Sequence, residues 1–233
     1  FARLKGFLES SGAIIVMVDD DNILAADYLE QVLAIFSKNS GLGAIGGRSL
    51  PLFEQRPPDW IGRYYSSLAL RDLGDEVIIS TWENTYPTAA PIGAGMGIRK
   101  AALERYIAKI QKGLSTITDR NGDSLSSGGD NDIVLEILKA GWQTGYFPQL
   151  SLQHIIPAGR TTPEYLSRLV RDSNESWVKL LESHQINPWK KISKHSVPLR
   201  KAKAWVRYTA WKSDVHYIEW KGACGYFKGL SEL

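Results

Sequence analysis

The chain has 233 residues, of which 43% are hydrophobic and 23% charged, so it can bury a sizeable core and its composition excludes general disorder. The single Cys224 excludes an intramolecular disulfide framework and a zinc site built from cysteines, and favours a reducing compartment. No stretch approaches the roughly 20 apolar residues of a membrane span, and no signal-peptide apolar segment follows Phe1.

The first predicted elements are a helix over residues 1–10 and a strand over residues 14–18 that ends in three carboxylates. The apolar run of the strand predicts burial in a largely parallel sheet. Asp19, Asp20 and Asp21 follow directly, and adjacent carboxylates repel each other unless a cation or solvent relieves them. Because alternate residues of an extended segment point the same way, Asp19 and Asp21 can share one ligand. The alternative is a solvated acidic turn that caps the next helix.

The next elements predict a βαβ unit. Residues 27–38 repeat apolar side chains at helical spacing, and residues 42–45 form a second apolar run. Strand, helix and strand in this order predict a right-handed crossover and parallel strands. Between residues 48 and 91, prolines and scattered aromatics indicate an inserted, ligand-facing region, with a helix near residues 60–70 and a short strand at 77–80.

A glycine-rich segment covers residues 91–100 and precedes a predicted helix at 101–110. Gly93, Gly95 and Gly97 alternate, which lets a backbone pass close to a bulky group. The spacing is not GxGxxG, so a dinucleotide fingerprint is not supported. A plain glycine-rich connector is the alternative.

A second acidic motif lies in residues 125–132 and leads into a predicted helix that Gly141 ends. Ser127, Asp130 or both can cap this helix. Capping accounts for one aspartate, but it does not require both Asp130 and Asp132. A carboxylate at a helix N-terminus stays ionised and can therefore accept a proton.

Two further candidate residues follow the next extended segments, which are predicted at residues 143–148 and 150–154. His154 ends the second segment, where a single histidine is more often a buried imidazole than a ligand, but here it accompanies an acidic cluster. Arg160 lies shortly before a helix predicted to begin at Pro163, and its fork of donors suits a phosphate.

The C-terminal segment has its own charge and composition. Residues 187–233 contain 10 Lys or Arg and 3 Asp or Glu, a net charge of +7, whereas the first 186 residues carry −4. Four of the eight tryptophans also lie there: Trp189, Trp205, Trp211 and Trp220. This pattern fits a helical lid packed on the main domain, an anionic membrane surface or a nucleic acid, of which the first is the commonest reason for an amphipathic helix.

Four segments together resemble the later two-thirds of a family 2 glycosyltransferase catalytic domain of GT-A fold. In order they are residues 2–22, 93–99, 129–142 and 154–160. The resemblance implies an α/β fold with a mixed, mainly parallel sheet flanked by helices. It divides the chain into a catalytic domain at 1–185 and a basic, Trp-rich helical extension at 186–233. The nucleotide-binding segments that open the family's domain are expected to lie upstream of Phe1.

The resemblance also implies roles on the donor side of the site. Asp19-Asp20-Asp21 matches the family's DXD signature, in which carboxylates hold Mg²⁺ or Mn²⁺ on the donor's diphosphate. Asp19 and Asp21 are implied as metal ligands, with Asp19 or Asp20 near the ribose. His154 falls where some members have a further metal or phosphate ligand, and Arg160 would neutralise the leaving diphosphate.

The resemblance also implies roles for residues in three other segments, on the acceptor side of the site. Asp130 matches the general base of the family's Glu-Asp motif. Gly129 stands where that motif usually has its Glu, and Asp132 is the candidate for the role of this missing acidic partner. The loop that shapes the acceptor side contains two further residues, Gly95 and Met96. Upstream of that loop, Trp82 and Tyr86 suit either stacking on sugar faces or core packing.

The function implied is an inverting, metal-dependent transfer of the hexosyltransferase type, from a nucleotide-diphosphate sugar to a hydroxyl of a glycan or lipid-linked acceptor. The expected setting is polysaccharide and cell-envelope synthesis in the cytoplasm or at the inner face of the cell membrane, with membrane contact through the extension and no nucleic acid partner. The alternative is a catalytically silent carbohydrate- or nucleotide-binding module or a scaffold of a polysaccharide assembly. A metal-dependent phosphohydrolase would also collect aspartates after a parallel strand, but the sequence does not place its nucleophile.

Overall fold

The computed structural model describes residues 2–114 and 128–233, so the capping role predicted for Ser127 lies outside the described residues. The helices are α1 Ala2–Glu9, α2 Tyr28–Lys38, α3 Glu104–Gln111, α4 Gly129–Lys139, α5 Pro163–Ser183, α6 Val197–Arg207 and α7 Asp214–Glu232. The strands are β1 Ile14–Val16, β2 Asn22–Leu24, β3 Leu42–Phe53, β4 Ile78–Ser80, β5 Gly97–Arg99 and β6 Gln143–Ile156. Short 3₁₀ helices cover Ile61–Tyr64, Ser66–Leu68, Lys100–Leu103, Ala158–Thr161 and Lys194–Ser196.

The described strands form one six-stranded sheet in the order β1-β5-β3-β6-β2, with β4 paired to β6. Four pairs are antiparallel: β1 with β5, β3 with β5, β2 with β6, and β4 with β6. Because β1 and β3 each run antiparallel to β5, they share a direction, as the βαβ prediction requires. They are not neighbours, however, since β5 lies between them. At these pairs the parallel neighbours predicted for the sheet are replaced by antiparallel ones.

The periodic helices are confirmed, and the irregular segments differ in detail. The predicted helix at 60–70 is two 3₁₀ turns, and Ala69 follows them with a left-handed φ of 55°. The two extended segments near residues 143–154 form one continuous strand, β6. Gly141 has a φ of 90°, which explains why α4 ends where glycine was predicted to end it.

The chain divides into two compact units, and the first consists of residues 2–52, 69–114 and 130–155. Its core has two clusters of buried side chains. One cluster includes Met96, Ile98, Leu103, Ile133 and Ile137, and the other includes Tyr28, Val32, Phe36, Leu42 and Ile45. The clusters bury side chains of β3, β5, α2 and α4, which fixes the strand and helix ends where the candidate residues lie.

The second unit consists of residues 53–68, 128–129 and 156–233. A side chain at Gly225 of α7 would place its Cβ 2.0 Å from the carbonyl oxygen of Arg171 in α5, so the two helix backbones approach closely. The tryptophans of α6 and α7 also pack on each other, with the rings of Trp205 and Trp220 4.7 Å apart. The segment 186–233 is therefore largely helical, as predicted, with α6 and α7 as its long helices. The domain division at residues 185 and 186 stays a prediction.

Candidate active site

The three aspartates follow β1 in a turn that Asn22 holds closed. The backbone N–H of Asn22 donates to the carbonyl oxygen of Asp19 at 3.1 Å, and the Asn22 side-chain oxygen accepts from the N–H of Asp19 at 3.2 Å. Asp19 and Asp20 are exposed, and Asp21 is half-buried. The turn thus presents two carboxylates to solvent and turns the third towards the sheet.

Asp21 faces His154 across a strand pair. The antiparallel register of β2 and β6 places Asn22 opposite His154, and Ile155 N–H donates to the carbonyl oxygen of Asp21 at 2.8 Å. The Nε2 atom of His154 lies 3.4 Å from Oδ2 of Asp21. His154 is only 6% exposed, and its Nδ1 atom makes no hydrogen bond within the part of the chain that the structure describes.

A carboxylate oxygen and an imidazole nitrogen in this arrangement fit one divalent cation. Neighbouring ligands of a cation with bonds of about 2.1 Å lie roughly 3 Å apart, close to the separation of Asp21 and His154. Imidazole is a common ligand of transition metals in general, and the carboxylate suits both Mg²⁺ and Mn²⁺. The sequence predicted both residues as ligands, and the structure brings these two together.

The glycine-rich segment lies beside the strand that leads into the aspartates. Met17 N–H donates to the carbonyl oxygen of Met96, and Gly95 N–H donates to that of Met17, both at 2.9 Å. Gly95 has a φ of 74°, and a Cβ there would lie 2.6 Å from both the Tyr28 hydroxyl and Leu152. The Met96 side chain is 0% exposed, so a contact between Met96 and an acceptor would use its backbone.

Asp130 lies in the first turn of α4, beside Gly93 and Arg3. Its Oδ1 atom is 2.9 Å from Nη1 of Arg3, and its side chain is 36% exposed. A Cβ at Gly93 would lie 2.0 Å from Asp130 Oδ2, so only glycine leaves room for this carboxylate. The arginine and the helix N-terminus both place positive charge beside this carboxylate. Arg3 as the partner of Asp130 was not predicted.

Asp132 occupies a different environment on the same helix. It is 1% exposed and lies 2.5 Å from Nζ of Lys109, which also contacts Glu136 at 3.0 Å. Glu136 in turn pairs with Nε of Arg105 at 2.6 Å. The structure therefore places Asp132 in a buried charge network between α3 and α4, whereas Asp130 is partly open to solvent. Sequence reasoning missed this network, although the spacing of Asp132 and Glu136 puts them on one helix face.

The predicted aromatic contacts lie near the start of α4. Tyr86 donates a 2.5 Å hydrogen bond to the side-chain oxygen of Asn131, and burial raises the pKa of Tyr86, so its hydroxyl stays a donor. Trp82 packs on the core, with Lys139 Nζ 5.1 Å from its ring centre. Both rings thus take part in packing, and sugar stacking stays a prediction. Arg160 lies in the second unit, in the 3₁₀ helix Ala158–Thr161, and its phosphate role also stays a prediction.

Comparison with known proteins decides the family. A family model described as glycosyltransferase like family 2 matches residues 3–177, which is more than half of the chain. The chain belongs to this family. The match includes the acidic turn, the glycine-rich segment, the start of α4 and His154. No curated protein sequence matches the chain significantly.

Three solved structures superpose on this family 2 chain at low sequence identity. A mannosyltransferase, PcManGT from Pyrobaculum calidifontis in complex with GDP-Man and Mn²⁺, superposes with a TM-score of 0.50 at 15% identity over 98% of this chain and 65% of its own. GalNAc-T7 with UDP, GalNAc and Mn²⁺ gives 0.45 at 13% identity over 99% and 42%. S. aureus TarS 1-349 gives 0.37 at 10% identity over 99% and 68%.

The mannosyltransferase comparison supports the fold alone. The family 2 chain has the predicted α/β architecture of GT-A glycosyltransferases, with a mixed sheet flanked by helices and a helical C-terminus. It spans 65% of the length of the mannosyltransferase chain and 42% of GalNAc-T7. None of the helices within residues 2–114 and 128–233 is both long and apolar enough to cross a membrane.

Proposed function

We propose that this family 2 member is an inverting, metal-dependent glycosyltransferase of the hexosyltransferase type, which moves a sugar from a nucleotide-diphosphate sugar to an acceptor hydroxyl. The observation that carries the proposal is the 3.4 Å approach of Asp21 and His154 directly beside two exposed aspartates. The complex of the similarly folded mannosyltransferase with GDP-Man and Mn²⁺ supports the same chemistry.

On the donor side, Asp21 and His154, with Asp19, would hold the cation. Bound by these residues, a divalent cation would supply positive charge opposite the leaving diphosphate. Asp19 and Asp20 are exposed, which suits contacts to the donor's ribose or to water around the metal. Arg160 keeps the role that the family resemblance implies, at the leaving diphosphate.

On the acceptor side, we assign Asp130 as the general base. The acceptor oxygen forms a bond to the anomeric carbon, the bond from that carbon to the diphosphate oxygen breaks, and Asp130 takes the hydroxyl proton. This single displacement inverts the anomeric centre and needs no covalent intermediate. The partial exposure of Asp130 supports this role over Asp132, which is buried against Lys109.

The metal-dependent step is tested by calorimetric titration of the full-length protein with UDP and GDP, with and without Mn²⁺. We expect nucleotide binding that requires Mn²⁺, and we expect Asp21→Ala to abolish it. Asp59→Ala, which removes an exposed carboxylate of the second unit, should bind as wild type does. If neither nucleotide binds with or without metal, the chain is a silent module. Donor hydrolysis that needs no acceptor would instead indicate a phosphohydrolase.

A lipid-linked acceptor would bring the protein to the inner face of the cell membrane, in polysaccharide or envelope synthesis. Leu199, Val206 and Trp211 support this setting, because their side chains are 60%, 63% and 58% exposed in the basic C-terminal segment. Replacing all three by Ser should reduce co-sedimentation with anionic vesicles. Removal of residues 187–233 is a poorer test, since it also deletes α7, which packs on α5. Unchanged co-sedimentation of the triple variant would contradict membrane contact.

A further inference from the structure

The second unit contains a cavity of about 590 Å³ bordered by α5, α6 and α7. This volume falls within the range of about 300–1,000 Å³ that is typical of small-molecule sites. None of the residues proposed for catalysis lines the cavity. It is therefore a separate feature that the proposed function does not use.

One wall of the cavity is positively charged. Arg200, Lys203 and Arg207 line it from α6, and their spacing of three and four residues puts them on one face of that helix. Within residues 2–114 and 128–233, neither Lys203 nor Arg207 has an acidic partner within ion-pair distance, and Arg200 donates a hydrogen bond to the hydroxyl of Ser196 but forms no ion pair. The cavity's one acidic lining residue, Glu219, is 3.6 Å from Arg63. The basic wall can therefore accept an anion.

The other walls are largely apolar. Tyr226 and Phe227 of α7 line the cavity together with Val170 of α5 and the buried Ala204 of α6. Burial raises the pKa of Tyr226, so its phenol is uncharged, and its ring packs edge-on against Trp189 at 5.3 Å. A small inorganic anion would leave these walls without a partner. A neutral apolar ligand would leave the three cations without one.

We propose that this cavity binds the phosphate-bearing end of an anionic lipid, with the phosphate on Arg200, Lys203 and Arg207 and the first part of the hydrocarbon chain against Tyr226 and Phe227. The surface beside the basic wall suits entry of this lipid from a bilayer. Leu199 and Val206 lie four residues before and three residues after Lys203, and both are highly exposed. An apolar stripe next to a basic row is the arrangement of a helix that meets an anionic bilayer.

The experiment is a calorimetric titration of the full-length chain with oleoyl lysophosphatidic acid below its micelle concentration. Inorganic phosphate and mono-oleoylglycerol are titrated in parallel. The first carries only the anionic group of the lipid, and the second carries only its hydrocarbon chain. We expect saturable binding of one lysophosphatidic acid, at least about tenfold tighter than either single-feature probe. Equal affinity for inorganic phosphate would reduce the cavity to an anion site and overturn the lipid proposal.

Matched variants locate the binding. The triple change Arg200→Gln, Lys203→Gln and Arg207→Gln should weaken lysophosphatidic acid binding by about tenfold or more. A control removes the same charge from exposed residues outside the lining: Lys190→Gln, Lys191→Gln and Lys194→Gln. The control should change the affinity less than about twofold. An equal loss in the two triple variants would mean general charge attraction and would refute the site.

Two further variants test the position of the lipid in the cavity and guard against misfolding of the triple variant. Ala223→Leu narrows the cavity without changing charge and should also weaken the lipid, while wild-type affinity in this variant would overturn the placement. If the triple variant of the cavity lining unfolds at a lower temperature than wild type, the single change Lys203→Gln, at an exposed position, replaces it as the test of the basic wall. This variant too should weaken lysophosphatidic acid binding. Mn²⁺-dependent nucleotide binding should be unchanged in all these variants, so failure of this proposal and of the proposed function are distinguishable.

Discussion

Asp130 is the residue on which the proposed chemistry depends most directly. Asp130→Asn keeps the size of the side chain but removes its ability to accept a proton. We expect kcat to fall by about 10²–10⁴, the usual contribution of a general base, with little change in nucleotide affinity. Asp132→Asn is the comparison. A larger loss of kcat in that variant, with its fold intact by thermal unfolding, would transfer the assignment of the base to Asp132.

Gly93 provides a second test at the residue scale. Gly93→Ala would place a Cβ 2.0 Å from Asp130 Oδ2, so the carboxylate must move. We expect kcat to fall about tenfold or more because the base is displaced, while the KM for the donor changes little. Gly62→Ala adds the same methyl group where no atom lies within 4 Å, and it should leave the kinetics unchanged. Wild-type kcat in Gly93→Ala would show that the position of Asp130 does not limit the rate.

At the scale of elements, the packing of α5 on α7 depends on small residues. Gly225→Ala would bring a Cβ to 2.0 Å from the backbone carbonyl of Arg171, and a backbone atom cannot move aside as a side chain can. We expect a loss of about 1–3 kcal/mol in the free energy of unfolding, measured with denaturant. Gly159→Ala has open space and serves as the control. An unchanged midpoint for Gly225→Ala would contradict the close approach.

The same helix pair should respond to pH through Glu175. Burial opposes its ionisation, but hydrogen bonds from Lys179 and Lys228, at 2.7 and 2.9 Å, outweigh it, so the pKa of Glu175 is lowered below its ordinary value. A lowered pKa in the folded state stabilises the protein above the ordinary carboxyl pKa, and this stability is lost as the pH falls through the lowered value. Glu175→Gln should therefore lower the melting temperature at pH 7 and have a much smaller effect near pH 3. The exposed Glu182→Gln should show no such pH dependence, and equal behaviour of the two variants would contradict the argument.

At the scale of the whole molecule, metal and donor binding should raise global stability. A ligand that binds only the folded state adds about 2.7 kcal/mol at 100 times its dissociation constant. We expect Mn²⁺ with the cognate nucleotide to raise the melting temperature of the full-length chain, and His154→Gln to reduce this shift. The melting temperature without ligand is the control for folding. The same ligand-induced shift in His154→Gln and wild type would remove His154 from the ligand set.

Much of this architecture could be predicted from the sequence. Helices such as α2 repeat apolar side chains at helical spacing, and a glycine marks the end of α4. The order of the strands could not be predicted, since the three residues Gly97–Arg99 carry no period that marks them as the strand between β1 and β3. Alternation along an extended segment predicted that Asp19 and Asp21 can share a ligand, whereas the ligand role of His154 came from the family resemblance. Asp21 and His154 are 133 positions apart, and only the register of β2 on β6 brings them together. The Lys109 network depends on contacts between two helices, which side-chain spacing within one helix cannot reveal.

The late position of β5 in the chain has a consequence for biosynthesis. As the chain leaves the ribosome, β1 and β3 are made long before Gly97–Arg99, the strand that pairs with both of them. Until those residues emerge, each of the earlier strands lacks its shared neighbour. The backbone that follows Gly95 towards the sheet is also the segment proposed to shape the acceptor side. Pairing of β5 with β1 and β3 therefore also fixes the backbone of that segment, whereas Asp130 and His154 are made later in synthesis.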